Sequence, residues 1–519
     1  MKNYKSFLLL IMLLNIVCFS QTQERIPWPT HANSPWPVGR GDAQATGRSE
    51  YVGPKTPNII WKKSFPFGLL NSPVIGLNGN LLIGTRAWNS WDIFENYFYC
   101  ADSAGNILWT YETDSFSANN SAPAVAADGT IYFGNQNWEF YSLDKDGNFK
   151  WKHKSSSSFY QTATVLDKEG NIYIGTSDSL FCFKPNGEIK FRISIGAIRG
   201  HVAFSPHGDI LYVQTLKQSS NLFLYAIDLD EEIIWEKLFY RLTNATIMID
   251  NYGYIYVKGA ETANSGYALL CIKPDGNIKW QYKVANLGFV GAPTIDKDGN
   301  IIFRSVIKEE DQYYYGITSL DYEGNFRWFY NMEETGPPYY MPEEIQHGLV
   351  CDADGTIYAG STWGYNFYAI SKEGELLWKI PLDGMYADSS PVIGRDGTLY
   401  VGLHKGASEN NLENTLIAIK DNPNSVENEE VPTEFVLQQN YPNPFNPSTT
   451  IKFSIPKVSE VQLSVYNTLG QKVALLLNET KHPGSYEVAF DGSGLSSGVY
   501  IYVLEAAELK ISRKMLLIK

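Results

Sequence analysis

The chain is poor in the residues that announce chemistry. It has five cysteines in 519 residues, none adjacent and none in a C-x-x-C spacing, which removes the usual redox pair and zinc frame. Its seven histidines, His31, His153, His201, His207, His347, His404 and His482, are scattered without ligand spacing. No G-x-S-x-G, H-E-x-x-H or Walker loop occurs. Lys and Arg number 42 against 56 Asp and Glu, for a net charge of −14. No nucleic-acid partner is therefore expected, since such binding needs a basic stripe. Beyond the first twenty residues no stretch approaches the ~20 apolar residues of a spanning helix, so no transmembrane span is expected.

What is present begins with an address. Lys2 and Lys5 precede the apolar run Phe7–Phe19 and then Ser20, the pattern of a secretory signal peptide over residues 1–20. Cleavage is expected after Ser20. Lipidation of Cys18 is the rival reading, disfavoured by the bulky Val17 before it. The remaining cysteines sit in repeat columns. Cys100, Cys182 and Cys271 share a column of small residues with Ser142, Ala226, Ser319, Ala369 and Ala418, and Cys351 falls in an apolar column with Ile75, Leu166, Ile249, Ile295 and Ile393. They read as buried small hydrophobes without a disulfide.

The columns belong to a repeat. A small residue, a strand, a D-x-x-G turn and a Trp recur as CADSAGNILW at Cys100–Trp109, SLDKDGNFKW at Ser142–Trp151, CIKPDGNIKW at Cys271–Trp280, SLDYEGNFRW at Ser319–Trp328 and AISKEGELLW at Ala369–Trp378. AIDLDEEIIW at Ala226–Trp235 lacks the Gly, and CFKPNGEIKF at Cys182–Phe191 has Phe for Trp. A period of about 40–50 residues with turn signals inside each unit predicts a propeller of four-stranded blades. Eight units open, from Ser72 to Ser389, and the eighth lacks its Trp strand; Pro57–Trp61 supplies it from the other end of the chain. The fold class predicted is all-β: an eight-bladed propeller over residues 36–420, a linker at 421–434, and a small Ig-like β-sandwich over 435–519. The Trp column is predicted to fill the wedges between blades.

Two resemblances add to this. Trp36-Pro37, Asp42, Thr46-Gly47, Gly53-Pro54 and the repeated D-x-x-G-x-x-x-W resemble the quinoprotein-like (PQQ-like) propeller repeats. That resemblance implies the fold; the vicinal Cys pair, catalytic Asp and calcium ligands of the quinone dehydrogenases have no counterpart, so no cofactor and no essential metal are expected. The D-x-D-G turns at Asp144–Gly147, Asp296–Gly299 and Asp352–Gly355 offer two carboxylates each, short of a calcium loop, and read as hairpin turns. Arg40-Gly41-Asp42 reads as a coincidental tripeptide. In the tail, Asn440-Tyr-Pro-Asn-Pro-Phe-Asn-Pro447, Tyr466-Asn-Thr-Leu-Gly470, Leu495-Ser-Ser-Gly-Val-Tyr500 and Lys514-Met515 to Lys519 resemble the type A sorting domain of the type IX secretion system. This implies the type IX machinery as partner, passage through the periplasm, and release or attachment at the outer-membrane surface of a Gram-negative bacterium.

In a four-stranded blade the loops between second and third strands, with the blade-to-blade links, share one face of the disc. Here they vary in length, and the largest are 86–96, 308–315, 331–346 and 404–414. They carry Trp88, Trp91, Tyr339, Tyr340, Trp363 and Tyr365 as candidate ligand contacts, since variable loops on a rigid scaffold are where binding concentrates. No catalytic residue is assigned. A monomeric, non-catalytic, secreted or surface protein taking a glycan or protein ligand is the favoured reading. The alternative is a secreted glycan hydrolase or lyase working at the propeller mouth.

Overall fold

A computed structural model describes residues 21–65, 69–70, 72–86, 97–113, 121–159, 162–198, 200–217, 221–240, 246–262, 264–285, 291–309, 312–332, 348–361, 365–387, 389–405, 414–422, 435–457, 459–481, 484–506 and 509–519. The chain divides into two compact units, Met1–Asp421 and Asn422–Lys519. Apart from one three-residue 3-10 turn at Leu77–Gly79, the regular elements among the described residues are all strands.

Unit one is a β-propeller. Eight antiparallel sheets follow one another along the chain, and we number them blades 1–8. Their inner strands are Val74–Ile75, Ala124–Val125, Val165–Leu166, Ala203–Phe204, Met248–Ile249, Thr294–Ile295, Val350–Cys351 and Val392–Ile393. The outer strand of blade 8 comes from the start of the chain: Ile59–Phe65 pairs with Asn414–Ile419. The second strands are nearly all buried, as in Ile131–Gly134 and Ile172–Gly175. The outer strands alternate, as in Phe149–Lys154, because one face packs on the next blade and the other meets water. Each outer strand carries a register shift just before its aromatic residue, for example between Phe149 and Trp151. Such bulges twist an edge away from pairing with other chains.

The Trp column joins neighbouring blades through a small set of contacts. Each indole lies on the glycine of the next blade's outer turn; a Cβ added at Gly147 would come 2.6 Å from Trp109, and one at Gly374 would come 2.6 Å from Trp328. The indole N–H donates to a carbonyl of that same turn: Trp61 to Ser103 at 3.0 Å, Trp235 to Pro274 at 2.9 Å, Trp280 to Tyr322 at 3.2 Å and Trp328 to Lys372 at 2.9 Å. Blade 8 has no outer hairpin, because its outer strand arrives from elsewhere. There Trp378 donates instead to Pro54, at 3.1 Å.

The segment before that strand seals the centre. Residues 21–56 reach every blade. The amides of Ile75, Val125, Phe204, Ile249 and Cys351 donate to the carbonyls of Trp36, Pro37, Ala43, Gln44 and Gly47, at 2.8–3.0 Å. Trp28 donates to Leu166 in blade 3 at 2.7 Å, Thr294 of blade 6 to Thr46 at 2.9 Å, and Arg395 of blade 8 to Asn33 at 2.7 Å. The Arg40-Gly41-Asp42 tripeptide lies inside this plug. Arg40 is buried, donating to Leu349 at 2.8 Å and Pro293 at 2.5 Å, and Asp42 accepts the amides of Gln44 and Thr46.

Unit two has seven strands in two sheets. Val436–Leu437, Ser448–Ile455 and Gly484–Asp491 form one; Lys472–Lys481, Ser459–Asn467, Gly498–Ala506 and Leu509–Leu517 form the other. Its core includes Phe445, Ile451, Phe453, Leu463, Tyr502 and Met515. The Asn-Pro-rich stretch is tied to that core: Phe445 is buried in it, Asn440 Nδ2 donates to Thr449 at 2.9 Å, and the Asn440 amide donates to the Tyr502 hydroxyl at 2.8 Å.

Candidate functional site

Antiparallel connectivity places the first–second and third–fourth turns of every blade on one face of the disc, and the second–third turns on the other. The first face is covered near its axis by the N-terminal plug. Gln23 donates to Lys297, and Asn251 Nδ2 donates to Glu24 at 2.8 Å. This face is therefore less uniform than the repeat alone predicts, because a non-repeating segment lies across repeating turns.

The carboxylates of those turns are engaged by the chain itself. Asp144 Oδ1 accepts the amides of Asp146 and Asn148, and Asp296 Oδ1 those of Asp298 and Asn300. Asp352 accepts the amides of Asp354, Thr356 and Gly53. Burial holds Asp296 and Asp352 above the ordinary carboxylate range. Among the described residues no group of three or more His, Cys, Asp or Glu is placed to hold a metal ion. The four cysteines from Cys100 to Cys351 are free and buried, and burial pushes the Cys100 and Cys182 thiols up to about 12.

Five of the six predicted contacts, Trp88, Trp91, Tyr339, Tyr340 and Trp363, lie outside the described residues. The sixth is described. Tyr365 is 37% exposed in the turn of blade 7 between Ile357–Gly360 and Asn366–Ile370, with φ 48°. Its ring stands 4.9 Å from Tyr386 of blade 8, and the two hydroxyls are 2.9 Å apart. The Tyr365 carbonyl accepts the Leu382 amide at 2.7 Å.

Sequence reasoning missed Trp138. It occupies the same place in blade 2, immediately before the third strand Glu139–Leu143. It is 48% exposed with φ 71°, and its carbonyl accepts the Ser155 amide at 2.7 Å. The signal was present in Asn135-Gln-Asn-Trp-Glu139, a turn about as short as the one that holds Tyr365.

Nearer the axis, one column departs from the repeat. The second strands place Gly84, Gly134, Gly175, Gly360 and Gly402 in blades 1, 2, 3, 7 and 8, but Gln214, Lys258 and Arg304 in blades 4, 5 and 6. All three long side chains are buried. Lys258 donates to Gly291 at 2.6 Å, and Arg304 donates to the Gly360 carbonyl, so each bridges to the following blade. Burial, with Arg304 and Arg40 nearby, holds Lys258 well below the usual lysine range. His201 sits against Gly39 of the plug, and burial, helped by the Arg40 charge, lowers it to about 3. His31 is likewise lowered to about 3 by burial and then Arg25. These two imidazoles, His31 in the plug and His201 of blade 4 against it, are neutral packing groups at ordinary pH.

Comparison with known proteins identifies the tail. Residues 439–519 match the family described as the secretion system C-terminal sorting domain, so the chain carries a type IX sorting tail and is a secreted or cell-surface protein. Such a tail implies engagement with the type IX machinery. No helix among the described residues is long and apolar enough to cross a membrane. No curated protein matches the chain in sequence. Among solved structures, the Dos1 propeller is 8% identical, with a TM-score of 0.53, over 71% of this chain and 97% of its own. BamB from Moraxella catarrhalis is 11% identical over 70% of this chain and 100% of its own, with a TM-score of 0.49. PorZ of Porphyromonas gingivalis, described as an essential surface component of the type IX secretion system, is 14% identical over 85% of this chain and 69% of its own, with a TM-score of 0.35. At these identities the likeness concerns the fold alone.

Proposed function

We propose that the protein is a non-catalytic binding protein, monomeric, exported across the periplasm and the outer membrane of a Gram-negative cell, whose propeller presents the loop face to a glycan or protein ligand. One observation carries this reading. Tyr365 is held exposed on that face in a conformation that bulky residues rarely adopt, braced by Tyr386 from the next blade. Such strain persists only where surrounding structure enforces it, and it concentrates at binding sites. In this reading Trp88, Trp91, Tyr339, Tyr340 and Trp363, which lie outside the described residues, are further contacts, since aromatic anchors dominate binding energy where they occur. In this reading the plug makes the propeller a closed platform, with ligand meeting one side of it.

The experiment is a glycan array together with surface cross-linking on the exported protein, comparing wild type with a Trp88→Ala, Trp363→Ala double variant. The double variant should bind at least about tenfold more weakly with an almost unchanged melting temperature. Equal binding by both, or protection from hydrogen exchange on the plug face when ligand is added, would place the site elsewhere.

A further inference from the structure

Trp138 and Tyr365 occupy one structural register in two blades that are far apart in sequence. Each is the residue before the third strand, each has positive φ, each is exposed, and each spends its carbonyl on the amide that follows its blade's outer strand. Ring exposure and backbone strain are thus repeated together. In blade 3 the counterpart is looser: Asp178, two residues before the third strand Leu180–Phe183, accepts the amide of Gly196, three residues past the outer strand Ile189–Ile193.

The surroundings of Trp138 specify a chemistry. Lys154 Nζ lies 5.8 Å from the Trp138 ring, donates to the Asn137 carbonyl at 2.7 Å, and stands 3.6 Å from Glu139. The 155–158 segment crosses to blade 3. Ser158 Oγ donates to Gln136 at 3.0 Å, and Ser157 Oγ donates to Asp178 at 2.7 Å. Asp178 is in turn paired with Arg192 at 3.1 Å. Each carboxylate here has a cation beside it, so the patch offers many donors and acceptors without a strong field of either sign. A flat apolar ring bordered by balanced polar groups suits the apolar face of a sugar ring, with its hydroxyls reaching the border. It does not suit a polyanion, which needs uncompensated positive charge.

We infer that Trp138, with Asn137, Lys154, Asp178 and Arg192 around it, is a carbohydrate subsite for a neutral polysaccharide, on the same face as Tyr365; the buried Glu139 beneath neutralises Lys154 and does not meet the ligand. This rests on the binding-protein reading above and narrows the ligand to a repeating neutral glycan, because two like platforms on one rigid face fit a chain with like units.

The test is affinity electrophoresis of the full chain in gels containing laminarin, xylan, mannan or amylose. The variants are Trp138→Asn, Tyr365→Asn and the double substitution. Asn tolerates positive φ, so ring loss is separated from backbone damage. At least one polysaccharide should retard the wild type. Trp138→Asn should weaken that retardation about tenfold or more, with an unchanged or higher melting temperature, and the double variant should lose more. Retardation of Trp138→Asn equal to wild type overturns the subsite; if Tyr365→Asn alone then weakens it, the binding-protein reading stands without this one. Failure of all four polysaccharides to retard the wild type overturns the carbohydrate assignment, while a protein captured by cross-linking would still support the broader reading.

Discussion

The indole of Trp151 lies on Gly187 of the next blade, where an added Cβ would come 2.7 Å from the ring, and its N–H donates 2.9 Å to the carbonyl of Pro185 in that same turn. The one blade boundary without Trp lacks the glycine as well. Phe191 of blade 3 takes the Trp position, and the corresponding turn of blade 4, Asp228–Glu232, has Glu231 at φ 73° in the glycine's place. A phenyl ring has no N–H to place and is smaller, so the turn below it tolerates a side chain.

This pairing makes a coupled prediction. Gly187→Ala should cost about 2 kcal/mol or more, since it adds left-handed strain to a clash with the half-buried indole. Phe191→Trp alone should destabilise, whereas in a Glu231→Gly background it should recover, with a coupling of about 1 kcal/mol or more. Urea unfolding of the four chains of that cycle measures it. Additive effects would mean the two positions do not read each other.

Much of this was legible beforehand because it repeats. The D-x-x-G-x-x-x-W unit, the truncated eighth blade completed by the strand that contains Trp61, and the seven strands of the tail all follow from periodic patterns. The plug did not repeat and so was invisible. Many of its contacts are main-chain bonds, in which the amides of Ile75, Phe204 and Cys351 donate to the carbonyls of Trp36, Ala43 and Gly47, and main-chain bonds leave no trace in side-chain pattern. Trp138 escaped for a different reason. Exposure and positive φ are conformational facts, and a short Asn-Gln-Asn loop does not advertise them.

Acid should loosen the ring at two buried imidazoles. His31 and His201 have folded values of about 3 against an ordinary 6.5, through burial first and then the charges of Arg25 and Arg40. Between these values the unfolded chain binds protons that the folded plug refuses. Stability is therefore flat above pH 6.5 and falls as pH drops below it, by about 1.4 kcal/mol per pH unit for each histidine. His31→Gln and His201→Gln should each reduce the slope of unfolding free energy between pH 4 and pH 6 by about that amount. An unchanged slope in both would show that other groups govern acid lability.

The sorting tail should be absent from the working protein. It forms its own compact unit with its own core, so its removal need not disturb the propeller. Mass spectrometry of protein recovered outside the cell should find a C-terminus before residue 439, and unfolding of the propeller should be the same with and without the tail. Extracellular protein that retains Lys519 would sink the prediction.

Arg40 should control the plug as one unit. Its guanidinium holds two carbonyls in different blades, Leu349 at 2.8 Å and Pro293 at 2.5 Å, and it fits a space closed by Gly47 and Gly348. Burial lowers it to about 10, with Asp42 opposing, so its charge is held at some cost. Replacing a buried ion with an apolar group can be neutral in such a setting. Here it also strands two buried acceptors, at about 1–3 kcal/mol each, and that term should win. Arg40→Met should therefore destabilise by about 2 kcal/mol or more, and Arg40→Lys, which can reach only one carbonyl, by less. Hydrogen exchange adds a sharper readout. The amides of Ile75, Val125, Phe204, Ile249 and Cys351 all donate to the plug from five separate blades. If the segment docks cooperatively, Arg40→Met should accelerate all five together, including those in blades 1 and 2, away from the Leu349 and Pro293 carbonyls that the guanidinium holds. Acceleration confined to Cys351 and its neighbours would mean the plug is held blade by blade.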